Sequence, residues 1–340
     1  MCGIWAREAQ PWAGTMIQPS RLGGFLHWFR QWRRGVKSRM PYVRRREYRL
    51  LQDRHARLLD AIGTDHPMCN ECAIAALKAP AASLGSEVCL FVTYAPLPLI
   101  KRHVLRNVEA LLACNLTVVL IVNTPHSADS FQVESALLER LGGCYVRANH
   151  GFDFAAWCHV HSLIEQQLQS CERLLITNDS IVGPLGEGQI ERTWARVQAS
   201  EADVIGLTES TSPRRHLQSF FLVFQRRALR SQALANFWRD VRSLPSKQLV
   251  IDFYETFLTH RLRTAGLVCQ PLFALSSLNA PATNDIYYRW SELLKQDFPY
   301  IKASVLEEFW SSGDVIKLVP APIRQEYEFA NANTPKSACS

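Results

Sequence analysis

The sequence lacks the motifs that identify most nucleotide-hydrolysing and dinucleotide-dependent enzymes. It has no G-x-x-x-x-G-K-[ST] phosphate loop and no G-x-G-x-x-G turn after its first β-rich run. A G-x-S-x-G nucleophile elbow and an H-E-x-x-H zinc motif are also missing. These absences argue against P-loop ATP hydrolysis, hydride transfer on a dinucleotide, α/β-hydrolase chemistry and zinc-dependent proteolysis.

Membrane-spanning and secretory features are missing as well. No apolar run reaches the ~18 residues needed to cross a bilayer, and the N-terminus lacks the residue order of a secretory signal. The 10 cysteines have no repeating spacing, which is typical of reduced thiols. The close pair Cys69-x-x-Cys72 has no partner at zinc-finger spacing, so we expect no zinc site there. These features predict a cytoplasmic protein.

The positive charge is concentrated at the N-terminus. The net charge is +7, but residues 1–57 carry 13 Lys/Arg and only 3 acids, while the rest of the chain carries 25 basic and 28 acidic residues. The main domain therefore has no composition that favours nucleic acid, and we expect none as a partner.

An amphipathic helix is predicted in this basic arm, because apolar residues from Leu22 to Val36 recur at helical spacing with arginines between them. One interpretation is a helix on an anionic membrane surface, involving residues 21–57. The other is a solvated or packed N-terminal helix. The predicted divisions are a basic helical arm at 1–62, a linker at 63–86, an α/β domain at 87–312 and a loosely ordered tail at 313–340.

From Val88 onward, short apolar runs alternate with helical patterns, which predicts a mainly parallel sheet covered by helices on both faces. The fold class is therefore α/β. The run Leu174–Thr177 ends at Asn178-Asp179-Ser180 and a Gly-Pro turn, so a buried strand would deliver Asp179 to a ligand site at its carboxyl end. The alternative is an Asx turn in which Asp179 only caps the loop.

Three more stretches carry candidate functional residues. Asn149-His150-Gly151-Phe152-Asp153 lies between a strand and a helix, where glycine permits close approach and a helix N-terminus favours an anion; Asp153 could equally be the N-cap. His216 opens an aromatic strand and could touch a phosphate or an acceptor hydroxyl, or could have no role. Glu255 lies in an apolar helical turn, which predicts a raised pKa and a general base, or else a residue that only stabilises the helix N-terminus.

A family resemblance rests on the following stretches, given in chain order: Asn149-x-Gly151-x-Asp153-Phe154-Ala155-Ala156-Trp157, Thr177-Asn178-Asp179-Ser180 with Gly183-Pro184, Gly206-Leu207-Thr208-Glu209-Ser210, His216-Leu217-Gln218-Ser219-Phe220-Phe221, Tyr254-Glu255-x-x-Leu258-Thr259, and Trp290 with Phe298-Pro299-Tyr300-Ile301-Lys302. From about Val88 to Trp310 the chain resembles the rhamnan synthesis protein F family of bacterial polysaccharide glycosyltransferases. The basic arm lies outside the resemblance.

The resemblance implies a GT-A-like domain that binds a nucleotide sugar. By analogy, Asp179 would hold the donor diphosphate, alone or through Mg²⁺ or Mn²⁺, although a metal turn of this fold usually offers two carboxylates. Glu255 would be the catalytic base, with His216 near the phosphate or acceptor. The expected nucleotide-sugar contacts are Thr93, Tyr94, Asn123, Asn149, Gly151, Asp153, Asn178 and Ser180.

The expected function is an inverting transfer of a sugar, L-rhamnose from dTDP-L-rhamnose, onto a lipid-linked saccharide of a bacterial surface polysaccharide. The basic arm would then hold the enzyme at the inner face of the plasma membrane. Two alternatives remain open at this point: a non-catalytic carbohydrate-binding or complex-organising protein with this fold, and a different enzyme of sugar nucleotides.

Overall fold

The structure is a computed structural model that describes residues 66–275 and 284–332. The predicted arm at 1–62 and its amphipathic helix lie outside these residues. The strands are β1 (Ile74–Lys78), β2 (Glu87–Tyr94), β3 (Thr117–Thr124), β4 (Gly143–Ala148), β5 (Arg173–Asn178), β6 (Ile181–Val182), β7 (Val204–Gly206), β8 (Glu209–Ser210), β9 (His216–Leu217), β10 (Phe221–Gln225), β11 (Cys269–Pro271) and β12 (Ile301–Lys302).

Helices occupy most of the connections between the strands. They are α1 (Arg102–Ala113), α2 (Ser135–Arg140), α3 (Phe152–Leu163), α4 (Gln189–Gln198), α5 (Arg226–Leu229), α6 (Gln232–Asp240), α7 (Lys247–Val250), α8 (Thr256–Thr264), α9 (Asp285–Tyr288), α10 (Trp290–Leu294), α11 (Ala303–Glu308), α12 (Gly313–Leu318) and α13 (Ala321–Ala332), with 3₁₀ turns at Cys69–Glu71 and Ala128–Ser130 and a π-helical turn at Ile251–Glu255.

The main sheet has eight strands in the order β1-β4-β3-β2-β5-β10-β7-β11. Strands β4, β3, β2 and β5 are parallel to one another, β7 and β11 are parallel to each other, and β10 pairs antiparallel with both β5 and β7. The edge strand β1 is antiparallel to β4. The predicted α/β fold with a mainly parallel sheet is therefore confirmed.

The central strands are apolar on both faces because both faces are covered. In β2, Val88, Leu90 and Val92 belong to one core cluster, which includes Trp157 of α3. Cys89 and Phe91 point to a second cluster on the other face. Fully covered parallel strands read as continuous apolar runs rather than alternating ones, which is why the sequence predicted them well.

The predicted long strand from Leu217 to Phe224 is broken in two. Gln218, Ser219 and Phe220 separate β9 from β10. The backbone N–H of Gln218 donates to the Thr208 carbonyl, and the Thr177 hydroxyl donates to the Phe220 carbonyl, so these backbone groups are satisfied outside a regular ladder. The break places Ser219 at the end of β10 nearest the carboxyl end of β5.

Two segments are more ordered than the sequence suggested. Within the predicted linker, residues 74–78 form β1 at the sheet edge. In the predicted tail, α12 and α13 bury Val315, Val319, Ile323 and Tyr327 in a third apolar cluster. The domain boundaries themselves stay predictions. Within the two described ranges, no helix is long and apolar enough to cross a membrane.

Candidate active site

The carboxyl ends of β2 and β5 meet in the middle of the sheet, since Val92 pairs with Asn178 in parallel register. Asp179 follows β5 directly. Its Oδ2 accepts hydrogen bonds from the Thr93 hydroxyl at 2.8 Å, the Tyr94 backbone N–H at 3.1 Å and the Lys101 ammonium at 3.0 Å. The Asp179 carboxylate is therefore a cross-strand anchor held by β2 and by the residue before α1.

The Asx turn exists, but Asn178 makes it. Asn178 Oδ1 accepts hydrogen bonds from the Ser180 backbone N–H at 3.1 Å and from the Ser180 hydroxyl at 2.6 Å. The neighbouring Asp179 side chain takes no part in this turn and instead contacts the end of β2. Of the two interpretations of this turn, a carboxylate held at the strand ends agrees with the geometry.

The ionisation of Asp179 is set by opposing influences. Burial would raise the pKa of its carboxyl and is the largest influence. The charge and hydrogen bond of Lys101, with the Thr93 hydroxyl, outweigh it and hold the pKa below its ordinary value. Asp179 therefore remains charged at neutral pH.

Asp153 reaches the same turn from the start of α3. The Asn178 side-chain amide donates to Asp153 Oδ2 at 2.7 Å. Burial, followed by the negative charge of Asp179, raises the pKa of Asp153 to about 6. The N-cap of α3 is Gly151, with φ of +75°, so Asp153 is a first-turn residue and not the cap.

Gly151 has a steric reason to be glycine. A Cβ at this position would lie 2.6 Å from both the Ala155 Cβ and the Ser243 Cα. The close approach is therefore within the protein and not to a ligand. It fixes the position of the N-terminus of α3, where Asp153 lies. Asn149, two residues earlier, is exposed in the preceding turn.

Glu255 lies at the end of the π-helical turn, a feature often found at functional sites. Its Oε2 accepts a hydrogen bond from the Ser219 hydroxyl at 3.0 Å, and its Oε1 lies 3.7 Å from His216 Nε2. His216 Nδ1 donates to the Arg214 carbonyl at 2.7 Å, which turns Nε2 toward the glutamate. Ser219, in the break between β9 and β10, and His216, in β9, thus supply these contacts of Glu255.

The expected raised pKa of Glu255 is wrong. Burial, the largest influence, does raise it, but the nearby His216 side chain, the Lys302 ammonium and the Ser219 hydroxyl together lower it further. Apolar neighbours in sequence were a poor guide because these polar groups come from distant segments. Glu255 is ionised at neutral pH and can accept a proton directly, although it is a weaker base than expected.

Lys302 lies near both Glu255 and Asp153 and was not among the residues predicted to form the site. It is the last residue of β12, and its Nζ lies 5.6 Å from the centre of the Phe220 ring. Burial lowers its pKa, and the charges of Glu255 and Asp153 partly restore it. In the sequence, Lys302 could have been noticed as the single charged residue that ends the run Phe298–Ile301. Lys101, which follows two prolines, has no comparable feature that would mark it as a site residue.

The remaining predicted contacts are placed less directly. Tyr94 is 42% exposed beside Asp179, so its ring is accessible to a ligand. Asn123 at the end of β3 is buried and its Oδ1 accepts a hydrogen bond from Arg147 at 3.3 Å. Among the described residues, no group of three or more His, Cys, Asp or Glu side chains is arranged to hold a metal ion.

The fold and this site define an α/β protein with a cluster of charged side chains at the carboxyl ends of its parallel strands. The family model for rhamnan synthesis protein F matches residues 118–327, more than half of the chain, so the chain belongs to this family. The resemblance predicted from the sequence is confirmed.

Individual relatives are more distant. The virulence protein VirA of Vibrio anguillarum is 26% identical over 208 residues, which cover 52% of this chain and 66% of that protein. The chain thus spans slightly less than two thirds of this relative. Among solved structures, the bifunctional glycosyltransferase WbbM in its apo form is 10% identical, with 76% of this chain and 51% of that chain covered and a TM-score of 0.37. The mannosyltransferase PcManGT of Pyrobaculum calidifontis, solved with GDP-Man and Mn²⁺, is 11% identical, with 85% of each chain covered and a TM-score of 0.32.

Proposed function

We propose that this chain is a glycosyltransferase of GT-A-like fold that moves a sugar from a nucleotide-sugar donor onto a saccharide hydroxyl. The observation that carries this proposal is the set of three interacting carboxylates, Asp153, Asp179 and Glu255, with Lys101 and Lys302 among them at the strand ends. Open α/β sheets bind their ligands at this edge. Membership of the rhamnan synthesis protein F family favours the same class.

The donor would lie across the carboxyl ends of β2, β3 and β4. Thr93, Tyr94 and Asn123 would line the nucleotide, and Asn149, Gly151 and Asp153 would contact the ribose or the diphosphate, next to the turn formed by Asn178 and Ser180. Lys101, 28% exposed, offers a cation to the diphosphate from its place beside Asp179. A preorganised cation at this position would stabilise the charge that develops as the bond to the diphosphate breaks.

Glu255 would act as the general base of an inverting transfer. Its carboxylate would take the proton of the acceptor hydroxyl while that oxygen bonds to the anomeric carbon and the bond to the diphosphate breaks. Ser219 fixes the orientation of the carboxylate, and the nearby Lys302 ammonium favours its unprotonated form. His216 would position this base and stand close to the acceptor side.

A divalent ion fits this site only with help from the donor. Asp179 Oδ2 already receives three hydrogen bonds, so Oδ1 is the atom that would hold Mg²⁺ or Mn²⁺, with phosphate oxygens and water completing the coordination. When bound, such an ion would supply further neutralisation of the departing diphosphate.

The family resemblance suggests the particular substrates of this proposal. The donor would be dTDP-L-rhamnose, and the acceptor a lipid-linked saccharide of a surface polysaccharide such as an O-antigen or a rhamnan. The basic arm, through residues 21–57, would bring the domain to an anionic lipid surface at the inner face of the plasma membrane. Deletion of residues 1–62 should then abolish co-sedimentation with anionic vesicles, and unchanged binding would contradict a membrane role for the arm.

Donor binding tests the function most directly. The full-length protein is melted with a panel of nucleotide sugars, with Mn²⁺ or with EDTA, because a ligand that binds only the native state raises the melting temperature. We expect dTDP-L-rhamnose to raise it by roughly 3–5 °C at 100 times its Kd. No shift with any nucleotide sugar under either condition would contradict the proposal.

The same panel separates the alternatives. A bound donor that is never turned over in the presence of acceptor extracts would indicate a non-catalytic carbohydrate-binding protein. Release of free sugar or pyrophosphate without an acceptor would indicate a hydrolase or a nucleotidyltransferase. Sugar transfer to a lipid-extractable product supports the glycosyltransferase.

A further inference from the structure

Two thiols lie together where α3 packs against the 3₁₀ turn that precedes β1. Cys69 belongs to the 3₁₀ turn before β1, and Cys158 lies on α3. Their Sγ atoms are 2.8 Å apart, although the residues are separated by 89 positions. Because a disulfide bond is about 2.05 Å long, the sulfurs need to approach by less than ~1 Å to bond.

The near neighbour Cys72 does not compete for this contact. Its thiol donates to the Ala148 carbonyl at 3.1 Å, so the two cysteines of the Cys69-x-x-Cys72 motif have different partners. The motif therefore does not define the pair, and the partner of Cys69 comes from a helix far away in sequence.

The charges near the pair favour a thiolate. Arg147 is 1% exposed and its Nη2 has no hydrogen-bond partner among the described residues. Negative charge on three nearby thiols, those of Cys72, Cys69 and Cys158, would raise the pKa of the Arg147 guanidinium. The hydrogen bond with Cys158, together with the charge of Arg147 and against the effect of burial, lowers the pKa of Cys69, while the same contact raises that of Cys158.

A small molecule has room beside the two sulfurs. A cavity of about 510 Å³ is lined by both cysteines and by Met68, His161 and Trp238, among others. Each of the two cysteines is at most 5% exposed, so this cavity is their route to a reagent. A lowered thiol pKa and access from a cavity are the properties of reactive cysteines rather than of structural buried ones.

We propose that Cys69 and Cys158 are a modification site that forms a reversible disulfide with a low-molecular-weight disulfide, such as glutathione disulfide, as oxidant. The Cys69 thiolate attacks one sulfur of the oxidant and releases one glutathione thiolate. The Cys158 sulfur, losing its proton to solvent, then attacks the Cys69 sulfur and releases the second glutathione. Two protein thiols are oxidised and one glutathione disulfide is reduced to two thiols.

Such a bond would link the segment before β1 to the helix that carries Asp153. It would close a loop across 89 positions of the chain and restrict the unfolded state. The folded protein should therefore melt at a higher temperature when oxidised, and the effect does not depend on which sugar or nucleotide the candidate active site accepts.

The test is a redox titration of the full-length chain in glutathione buffers. After acid quenching, free thiols are alkylated with N-ethylmaleimide and the protein is digested without reduction for mass spectrometry. We expect a Cys69–Cys158 cross-linked peptide, two fewer alkylated thiols per chain from this pair, and a melting temperature about 5 °C higher, all reversed by dithiothreitol.

The substitutions Cys69→Ser and Cys158→Ser should each remove the cross-link and the melting shift, whereas Cys72→Ser should change neither. The unsubstituted chain decides the matter even if one variant folds poorly. If both thiols are still fully alkylated after excess glutathione disulfide, or if Cys69 is found bonded to Cys72, the proposal is overturned.

Discussion

Asp179 belongs to the turn after β5 and Asp153 contacts that turn through Asn178, but of these two only Asp179 forms a salt bridge among the described residues. Asp179 accepts hydrogen bonds from the Thr93 hydroxyl and the Lys101 ammonium. Asp153 accepts a hydrogen bond from the neutral side-chain amide of Asn178, and the negative charge of Asp179 disfavours its ionised form. The first carboxyl has a lowered pKa and the second a raised one. Opposite shifts in adjacent carboxyls are a common basis for dividing roles within a site.

Glu255 follows the pattern of Asp179 rather than that of Asp153. It too accepts a hydrogen bond from a hydroxyl, that of Ser219, and it lies near the His216 imidazole and the Lys302 ammonium. The site therefore holds two carboxylates that stay charged and one that gains a proton easily. In the proposed function, protonation of Asp153 would lower the negative charge of the site when an anionic diphosphate binds, so the contrast bears on the proposed donor binding.

The largest expected effect is on Glu255. In Glu255→Gln, transfer should fall by about 10²–10⁴-fold because the amide cannot accept the hydroxyl proton, while donor binding measured by calorimetry stays within about twofold. Glu172→Gln is the matched control, since Glu172 pairs with Arg226 on the surface and should transfer normally. Equal activity of Glu255→Gln and the unsubstituted chain would remove Glu255 from the mechanism.

The position of Asp153 depends on Gly151, which gives the second prediction. Gly151→Ala should lower the free energy of unfolding by about 3–4 kcal/mol, from left-handed backbone strain and a clash with the Ser243 backbone. Gly266→Ala is the control, because its φ is +79° but a Cβ there meets nothing within 4 Å. It should cost only about 1 kcal/mol in a urea titration. Equal losses would show that the contact with Ser243 is not what constrains α3.

Much of the fold could be predicted because the central strands are covered on both faces. β2, β3 and β5 are continuous apolar runs, and their alternation with helices gave the parallel sheet correctly. The edge strand β1 was missed, since its sequence Ile74-Ala75-Ala76-Leu77-Lys78 has weak β-propensity and lies half exposed. Its pairing with β4 is a tertiary effect that no local pattern reveals.

The candidate site was predictable only in part for a similar reason. Asp179 follows the strand β5 and Asp153 lies in the first turn of α3, and ligand sites of α/β sheets are found at such positions. The pKa of Glu255 depends on Ser219 and Lys302, which lie 36 and 47 positions away, so the local apolar context gave the wrong sign. Charge environments assembled from several segments require the three-dimensional structure.

Removal of each charge at the shared turn tests the contrast between the two aspartates. Asp179→Asn should lower the free energy of unfolding at pH 7 by about 2–3 kcal/mol, because Lys101 loses its ionic partner in a partly buried setting. Asp153→Asn should change it by less than about 0.5 kcal/mol or raise it, since the amide still accepts the Asn178 hydrogen bond and no charge is buried. Similar losses in both variants would mean that the two environments do not differ as described.

The contrast between the two aspartates also predicts a pH dependence of stability. Asp153 has a folded pKa of about 6, above the ordinary value of 3.8, so the native state binds the extra proton between these pH values. Its contribution to stability is present below about pH 4 and is lost as the pH rises through about 6. Between pH 4.5 and 7, the stability of the unsubstituted chain relative to Asp153→Asn should therefore fall by about 2 kcal/mol.

Asp179 should behave in the opposite sense. Its folded pKa is lowered, so the stability that it contributes is present above its unfolded pKa, near 4, and is lost as the pH falls through the folded value. Relative to Asp179→Asn, the unsubstituted chain should lose stability only below about pH 5. Urea titrations of the three proteins from pH 3.5 to 7 measure both slopes. Two slopes of the same sign would contradict the division between a charged Asp179 and a readily protonated Asp153, and with it the proton uptake expected when a diphosphate binds.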